Sequence, residues 1–281
     1  MTISHDVVLW CLLLAPGQVP DNPPKPDADK ELKAARMEHM KKAAKSYEIT
    51  LASDAAKKLV LTEEPYLRFD DQVTGVVDGT VFVWMLDGRP AATASVWIRK
   101  SGQEFHEFQS LATGALTATS DGQTKWAPAQ AGVEFKPIPN AQPPAATAVG
   151  RLAQMRTFAR EHRATVVDSV KDQIELRLLP QPVCRWGRAD GAVVDGGLFA
   201  YCKGTNPEVL LLVEAIKNGK ELEWHYVFTR MTSRGCEVRR DDKEVWKVPV
   251  LRGGSPTDIY FNVVFNYVGP GAKTEAPPKD K

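Results

Sequence analysis

The chain has 281 residues, of which 43% are apolar and 25% are charged, and its formal net charge at pH 7 is +1. This length suffices for one large domain or two small ones, and the composition is ordinary for a globular protein. Because acidic and basic residues are interleaved and nearly balanced, no field draws nucleic acid to the surface, and we expect no nucleic-acid partner.

The N-terminus carries a short apolar run, VVLWCLLLA, at residues 7–15, followed by Ala15-Pro16-Gly17. Nine apolar residues are too few to span a bilayer, whereas a small-x-small pattern after such a run is typical of a signal peptide. We therefore predict a signal peptide over residues 1–17, export to the periplasm or cell envelope, and no integral membrane span. The basic residues that usually precede the run are missing. The alternative is a buried N-terminal strand or helix in a cytoplasmic protein.

Two units with the same order of elements follow. A proline-rich linker is predicted over residues 18–30 and a proline-rich joint over residues 136–148. Between them, residues 31–135 show a helical pattern and then alternating segments separated by Asp-Gly and Ser-Gly turns, which predicts a helix and antiparallel strands. Residues 149–268 repeat this pattern, and residues 269–281 predict a disordered tail.

The two units match in sequence at an offset of 117 to 120 residues. Equivalent positions fall in the same order in both halves, and the small changes of offset fall at turns, where insertions are tolerated. The pairs that anchor the match are Pro65 and Pro182, Arg68 and Arg185, Asp78-Gly79 and Asp195-Gly196, and Trp126 and Trp246. We therefore predict an α+β fold that duplicates one unit, a helix followed by a curved antiparallel sheet of four to five strands. Cystatin-like and hot-dog-like topologies both satisfy this pattern.

Three of the cysteines align with apolar residues of the first unit. Cys184, Cys202 and Cys236 fall on leucine or methionine, which predicts free, buried thiols rather than disulfides. A bridge between Cys184 and Cys202 is the alternative. No CxxC pair occurs, so we predict no zinc or other metal site, and no sequence motif indicates a cofactor.

The best catalytic candidates form a Glu-x-His motif. Residues two apart in a strand share a face, so Glu104 would orient His106 as a general base, with Glu107 beside them. Glu223 and His225 form the predicted equivalent pair in the second unit. Metal ligation and a solvent-facing cross-strand network are the alternatives, and the network is the ordinary role of such a pair.

Two further residue types allow either a ligand or a structural role. Arg68 and Arg185 are candidates for binding a carboxylate or phosphate, and the alternative is a pairing with Asp78 or Asp195 across a hairpin. Asp78-Gly79 and Asp195-Gly196 are predicted to be turns. Trp126 and Trp246 have two alternative predicted roles. Each either lines a ligand groove or closes the end of a core, which is the ordinary role of a large aromatic residue.

Several segments of the folded region also carry a family resemblance. They are HEFQSLATGALTATSDGQTKWAP, RLAQMRTFAR, ELRLLPQPVCRW, DGGLFAYCKGTNPEVLLLVEA and EVWKVP. Residues 31–268 resemble a family of predicted exported proteins from planctomycete bacteria. The resemblance implies export and an α+β body. No activity is attached to the family, so it implies no site residue.

Three functions are compatible with these patterns. The first is an exported, non-enzymatic structural or binding module of the cell envelope. The second is a hydrolase or metal-dependent enzyme that uses His106 with Glu104 and Glu107. The third is a small-ligand carrier with a pocket between helix and sheet. Partners stay open, and a homo-oligomer is compatible with all three.

Overall fold

A computed structural model describes residues 26–169 and 172–272. The predicted signal peptide lies outside the described residues, as do the start of the predicted linker and most of the predicted tail. The structure contains two helices within the described ranges, α1 at Pro26–Lys45 and α2 at Ala148–Arg160. Within these ranges, neither helix is both long and apolar enough to cross a membrane.

The helices begin close to the predicted positions. Helix α1 starts at Pro26, inside the predicted linker, and proline suits the first helical turn because its missing N–H would have no partner there. Helix α2 is capped by Thr147, whose hydroxyl accepts a hydrogen bond from the Gly150 N–H at 3.1 Å.

Twenty strands make up most of the remaining described chain, and all of their pairings are antiparallel. The strands before α2 are β1 Glu48–Leu51, β2 Asp54–Lys58, β3 Val60–Leu61, β4 Leu67–Asp71, β5 Val76–Leu86, β6 Arg89–Arg99, β7 Gln103–Ser110, β8 Leu116–Ser120, β9 Gln123–Trp126 and β10 Lys136–Pro137. Those after it are β11 His162–Ser169, β12 Asp172–Glu175, β13 Arg177–Leu178, β14 Cys184–Trp186, β15 Val193–Lys203, β16 Asn206–Asn218, β17 Glu221–Arg230, β18 Gly235–Arg240, β19 Lys243–Val248 and β20 Tyr260–Asn266.

The predicted α+β class, with one curved sheet after each helix, is wrong. The described chain is mostly β, and each half contributes to a large and a small sheet. The small sheets have the orders β2-β1-β8-β9 and β12-β11-β18-β19. The first strand after each helix, β1 or β11, pairs with a strand near the end of the same half, β8 or β18. It does not pair with the long strands between these two points of the chain, so a small sheet separates from the large one.

The large sheets exchange one strand between the halves. Their orders are β20-β7-β6-β5-β3 and β10-β17-β16-β15-β13, with β4 and β14 pairing on β5 and β15. Strand β10 follows the small sheet of the first half but pairs with β17 of the second. Strand β20 follows the small sheet of the second half and pairs with β7 of the first. Each large sheet therefore gains an edge strand from the other half, seven residues long in β20 but only two in β10.

Three large apolar cores hold these layers together, and a small fourth cluster contains Phe69, Val76 and Val81. The first core lies between α1, the first small sheet and the first large sheet, and the second core occupies the same position under α2. The central core draws residues from both halves, including Leu111 and Val133 from the first and Leu198 and Leu210 from the second. Successive strand residues point to opposite faces, so Leu198 enters the central core while Phe199 enters the second.

The doublets Asp78-Gly79 and Asp195-Gly196 are not turns. Both lie inside long strands, each at a register shift of the same kind. Glycine is required there because a Cβ on Gly79 would lie 2.6 Å from the Phe69 ring and 2.8 Å from Trp97 Cβ. Its role is close packing against an aromatic ring, and the predicted turn is wrong.

Candidate functional site

The predicted catalytic residues Glu104 and His106 lie in a chain of hydrogen bonds under α1. Glu104 Oε2 lies 2.8 Å from His39 Nε2, and Glu104 Oε1 lies 2.9 Å from His106 Nε2. His106 Nδ1 in turn lies 2.6 Å from the Tyr47 hydroxyl. Both ring nitrogens of His106 are therefore engaged by protein groups, and neither remains for a substrate or a metal ion.

Burial controls the electrostatics of this cluster. Desolvation alone would raise the pKa of Glu104, but hydrogen bonds from His106 and His39 outweigh it and hold the pKa below its usual range. Desolvation raises the pKa of Tyr47, and the Glu104 charge raises it further. The cluster is thus a neutral tyrosine and an ionised glutamate joined through an imidazole, buried beneath the helix.

The second half contains the same aromatic pair with the two residue types exchanged. Strand pairing places His106 opposite Val96 and Tyr226 opposite Val213, at equivalent points of the two large sheets. His162 packs near Tyr226, with ring centroids 6.4 Å apart, much as Tyr47 packs near His106 at 5.6 Å. The equivalent of His106 is therefore a tyrosine.

The predicted equivalence of His106 and His225 is off by one residue. A shift of one residue along a strand moves a side chain to the other face. His225 accordingly points away from the second core, beside Glu223, with 3.5 Å between His225 Nε2 and Glu223 Oε2. The two Glu-x-His motifs thus lie on opposite faces of their sheets.

Glu107 lies on the other face of β7 from His106. Its carboxyl group accepts a hydrogen bond from the Tyr260 hydroxyl on the exchanged strand β20. Burial raises the pKa of Glu107 to about 8, and the neighbouring Glu208 adds to this effect. Glu107 therefore joins two segments of the sheet as a neutral acid, apart from Glu104 and His106.

The two candidate ligand-binding arginines lie in internal ion pairs. Arg68 Nε and Nη2 reach the two carboxylate oxygens of Asp78 at 2.9 and 2.6 Å. Arg185 Nη2 lies 2.7 Å from Asp195 Oδ2, and Arg151 adds a second bond to that oxygen at 2.9 Å. This is the pairing that the sequence offered as the alternative to a ligand.

Cys184, Cys202 and Cys236 are free and buried, as predicted, and desolvation raises each thiol pKa to about 12. High thiol pKa values make all three poor nucleophiles. Among the described residues, no group of three or more His, Cys, Asp or Glu side chains is placed to hold a metal ion.

The two equivalent tryptophans lie in contrasting environments. Trp126 is fully buried in the first core, where its ring stacks on Phe108 and its Nε1 donates to the Asp258 carbonyl at 2.8 Å. Trp246 packs against the second core but is only partly buried. Its Nε1 makes no hydrogen bond to any residue that the structure describes.

Trp246 lines an open cleft of about 920 Å³ beside β17. The cleft lies between β17, the end of the second small sheet, and the two segments that cross between the halves at residues 129–136 and 257–260. Its lining includes three further aromatic rings, two basic side chains and two acidic ones, namely Tyr226, Phe228, Tyr260, Lys136, Arg230, Glu134 and Asp258. A concave site with aromatic walls and a few polar groups is typical of ligand binding.

Arg230 is the most unusual group in this cleft, because its side chain is charged and the residue is only 6% exposed. Its Nη2 donates to the Pro249 carbonyl, and the guanidinium lies 5.9 Å from the centre of the Tyr260 ring. No carboxylate within the described residues forms an ion pair with it. Burial lowers the pKa of Arg230, but arginine remains charged at neutral pH.

The cleft also exposes part of the backbone edge of β17. Ile138 N–H donates to the Trp224 carbonyl on the β10 side, whereas Met231 N–H donates to β16 on the other side. Along a strand, the N–H and C=O groups of successive residues point to alternate sides of the strand. Phe228 and Arg230, like Trp224, therefore direct their N–H and C=O groups to the β10 side. Strand β10 pairs only with His225 and Tyr226, so it does not reach them.

The composition of the crossing segment explains why β10 is short. Pro137 and Pro139 have no N–H to donate to a strand neighbour. Val133 and Phe135 pack in the central core, which draws the preceding chain away from the edge of β17. Sequence patterns did not indicate this cleft or Arg230, because the site depends on pairing between distant segments.

No protein-family model, curated protein or solved structure matches this chain. The resemblance to exported planctomycete proteins therefore stays a prediction.

Proposed function

We propose that this protein is a non-enzymatic binding protein whose ligand site is the open cleft beside β17. The observation that carries the proposal is the contrast between the equivalent tryptophans. The first half covers Trp126 and satisfies its indole N–H, whereas the second half leaves Trp246 at a cleft that also contains a buried arginine without a carboxylate partner among the described residues.

The aromatic walls and the buried guanidinium of Arg230 favour a ligand that is both apolar and anionic. Aromatic side chains bury a large area and still present polar edges, so Trp246, Phe228 and Tyr226 suit a flat or apolar group. A buried guanidinium suits a carboxylate or another planar anion, because it donates several hydrogen bonds in a fixed geometry.

The dye anilinonaphthalenesulfonate, which is aromatic and anionic, tests the cleft directly. We expect one dye per chain, with affinity weakened about tenfold or more by either Trp246→Ala or Arg230→Gln. The matched control is Arg188→Gln, which removes an exposed arginine that pairs with Asp190 away from the cleft and so should leave the affinity unchanged. Equal dye affinity in all four proteins, each folded at the start of its urea titration, would contradict the proposal.

We also propose that the binding protein acts in the cell envelope. The support is the apolar run at residues 7–15 with the small residues after it, together with the family resemblance. The mass of the mature N-terminus after expression in a bacterial host tests this. Cleavage after Gly17 is the expected result, and a chain that keeps these residues in the cytoplasmic fraction would contradict it.

A further inference from the structure

The first half shows what fills the position that the second half leaves open. Strand β20 pairs along β7 over seven residues, from Tyr260 opposite Gln109 to Asn266 opposite Gln103. Just before it, the Ile259 carbonyl accepts from the Ser110 N–H at 2.9 Å and the Asp258 carbonyl accepts from Trp126 Nε1 at 2.8 Å. An extended segment thus satisfies both the strand edge and the tryptophan.

The second half has equivalent residues at the same strand positions but lacks this segment. Strand pairing makes Arg230 the equivalent of Ser110 and Phe228 the equivalent of Phe108. Trp246 pairs with Val238 in β18 as Trp126 pairs with Ala118 in β8. The edge N–H of Arg230 and the indole N–H of Trp246 therefore belong to the two residues equivalent to those that bind two successive carbonyls in the first half.

We infer that the cleft binds an extended peptide segment of another protein, which adds to the edge of β17 as β20 adds to β7. This inference rests on the proposed function and names the class of ligand. Strand addition uses backbone hydrogen bonds for affinity, while pockets for alternate side chains select the sequence. The aromatic walls select apolar side chains, and the buried charge of Arg230 selects an acidic one.

The position of β10 limits the length of the bound segment. Lys136 lies opposite Tyr226, at the point where Val263 lies opposite His106 in the first half. A segment running in the same direction as β10 must therefore end before that point. The chain itself contains a sequence of the right length and chemistry, SPTDIYFN at residues 255–262, which includes an acidic residue followed by apolar ones.

The test uses a fluorescently labelled peptide of this sequence and the full chain, with binding measured by fluorescence anisotropy. We expect saturable binding, weakened about tenfold or more by Trp246→Phe, which keeps an aromatic ring in place but removes the indole N–H. Replacing the aspartate of the peptide by asparagine should weaken binding to the unmodified protein but not to Arg230→Gln, because the lost interaction is already absent there.

Backbone methylation gives the sharpest control. In the first half the odd-numbered residues of the segment direct their backbone groups toward β7, as the Ile259 and Tyr267 bonds show. N-methylation at the position of Phe261 should therefore reduce binding about tenfold or more, whereas N-methylation at the position of Tyr260 should change it by about twofold at most. Equal effects of the two methyl groups would overturn strand addition.

Three other results would overturn the inference. Dye binding without peptide binding would leave the proposed function in place but make the ligand a small molecule. Peptide binding that Trp246→Phe does not change would mean that the peptide binds elsewhere, for example by displacing β20. Self-association of the chain that Trp246→Phe abolishes would assign the strand edge to a second copy.

Discussion

The two large sheets are built from the same elements in the same order. The exchanged strand covers the edge of the first sheet along its length, but it covers only a short part of the equivalent edge of the second. In the first half, β20 and the residues before it cover β7 and enclose Trp126. In the second half, β10 stops after two residues and leaves β17 and Trp246 beside a cleft. A binding site therefore arises where an exchanged strand is cut short.

The aromatic and histidine residues of the two halves show a different relation. Tyr47 and His106 in the first half correspond to His162 and Tyr226 in the second, so the pair is kept while its members change places. Glu104 corresponds to Trp224, which carries no charge. Because tyrosine and histidine can exchange places in this pair, we infer that the pair serves packing and hydrogen bonding. This agrees with the hydrogen bonds that both ring nitrogens of His106 make within the protein.

The largest expected difference between the halves is in the cost of removing each tryptophan. Trp126→Ala should lower the free energy of unfolding by about 3–5 kcal/mol, because it removes a fully buried ring from the first core. Trp246→Ala should cost less, about 2 kcal/mol, because the ring is only partly buried and so removes less area from water. Urea denaturation of the two variants measures both values. Equal losses would show that the second half is closed like the first.

A second prediction concerns Glu107, whose equivalent in the second half is the apolar Val227. Its pKa rises from the usual 4.5 to about 8 on folding, so the folded state holds a proton that the unfolded state releases as the pH rises. Stability should therefore be greatest below about pH 4.5 for this group and fall as the pH rises toward 8.

Glu107→Gln should remove this dependence, because the amide keeps an oxygen for the Tyr260 hydroxyl and does not ionise. At pH 9 the variant should be more stable than the unmodified protein by about 2–4 kcal/mol. Thermal denaturation between pH 5 and pH 9 measures the effect, and Glu223→Gln, on the second half, is the control expected to change little. A variant that is less stable at pH 9 would contradict the assigned burial and hydrogen bond.

Local patterns in the sequence predicted the features that depend on neighbouring residues. Both helices lie within a few residues of their predicted ranges, and the alignment of Cys184 and Cys202 with apolar residues correctly indicated buried, free thiols. Asp-Gly doublets were harder to interpret. Asp87-Gly88 forms a turn with positive φ at both residues, whereas Asp78-Gly79 lies within a strand because Gly79 packs against Phe69.

The features that escaped prediction depend on pairing between distant segments. Nothing local to β1 indicates that it pairs with β8, so one curved sheet was predicted where there are two. Likewise, an offset error of one residue was enough to equate His106 with His225, although strand pairing places them on opposite faces. The exchange of β10 and β20 is the most distant of these pairings, and the cleft is its direct consequence.

Amide hydrogen exchange followed by NMR tests the central claim most directly, because it measures the pairing of single backbone groups. The account predicts that the N–H groups of Phe228 and Arg230 exchange about 100-fold or more faster than those of Phe108 and Ser110. Addition of the peptide should slow the first pair and leave the second unchanged. Equal protection of all four groups in the free protein would show that the edge of β17 is already paired and would contradict the account.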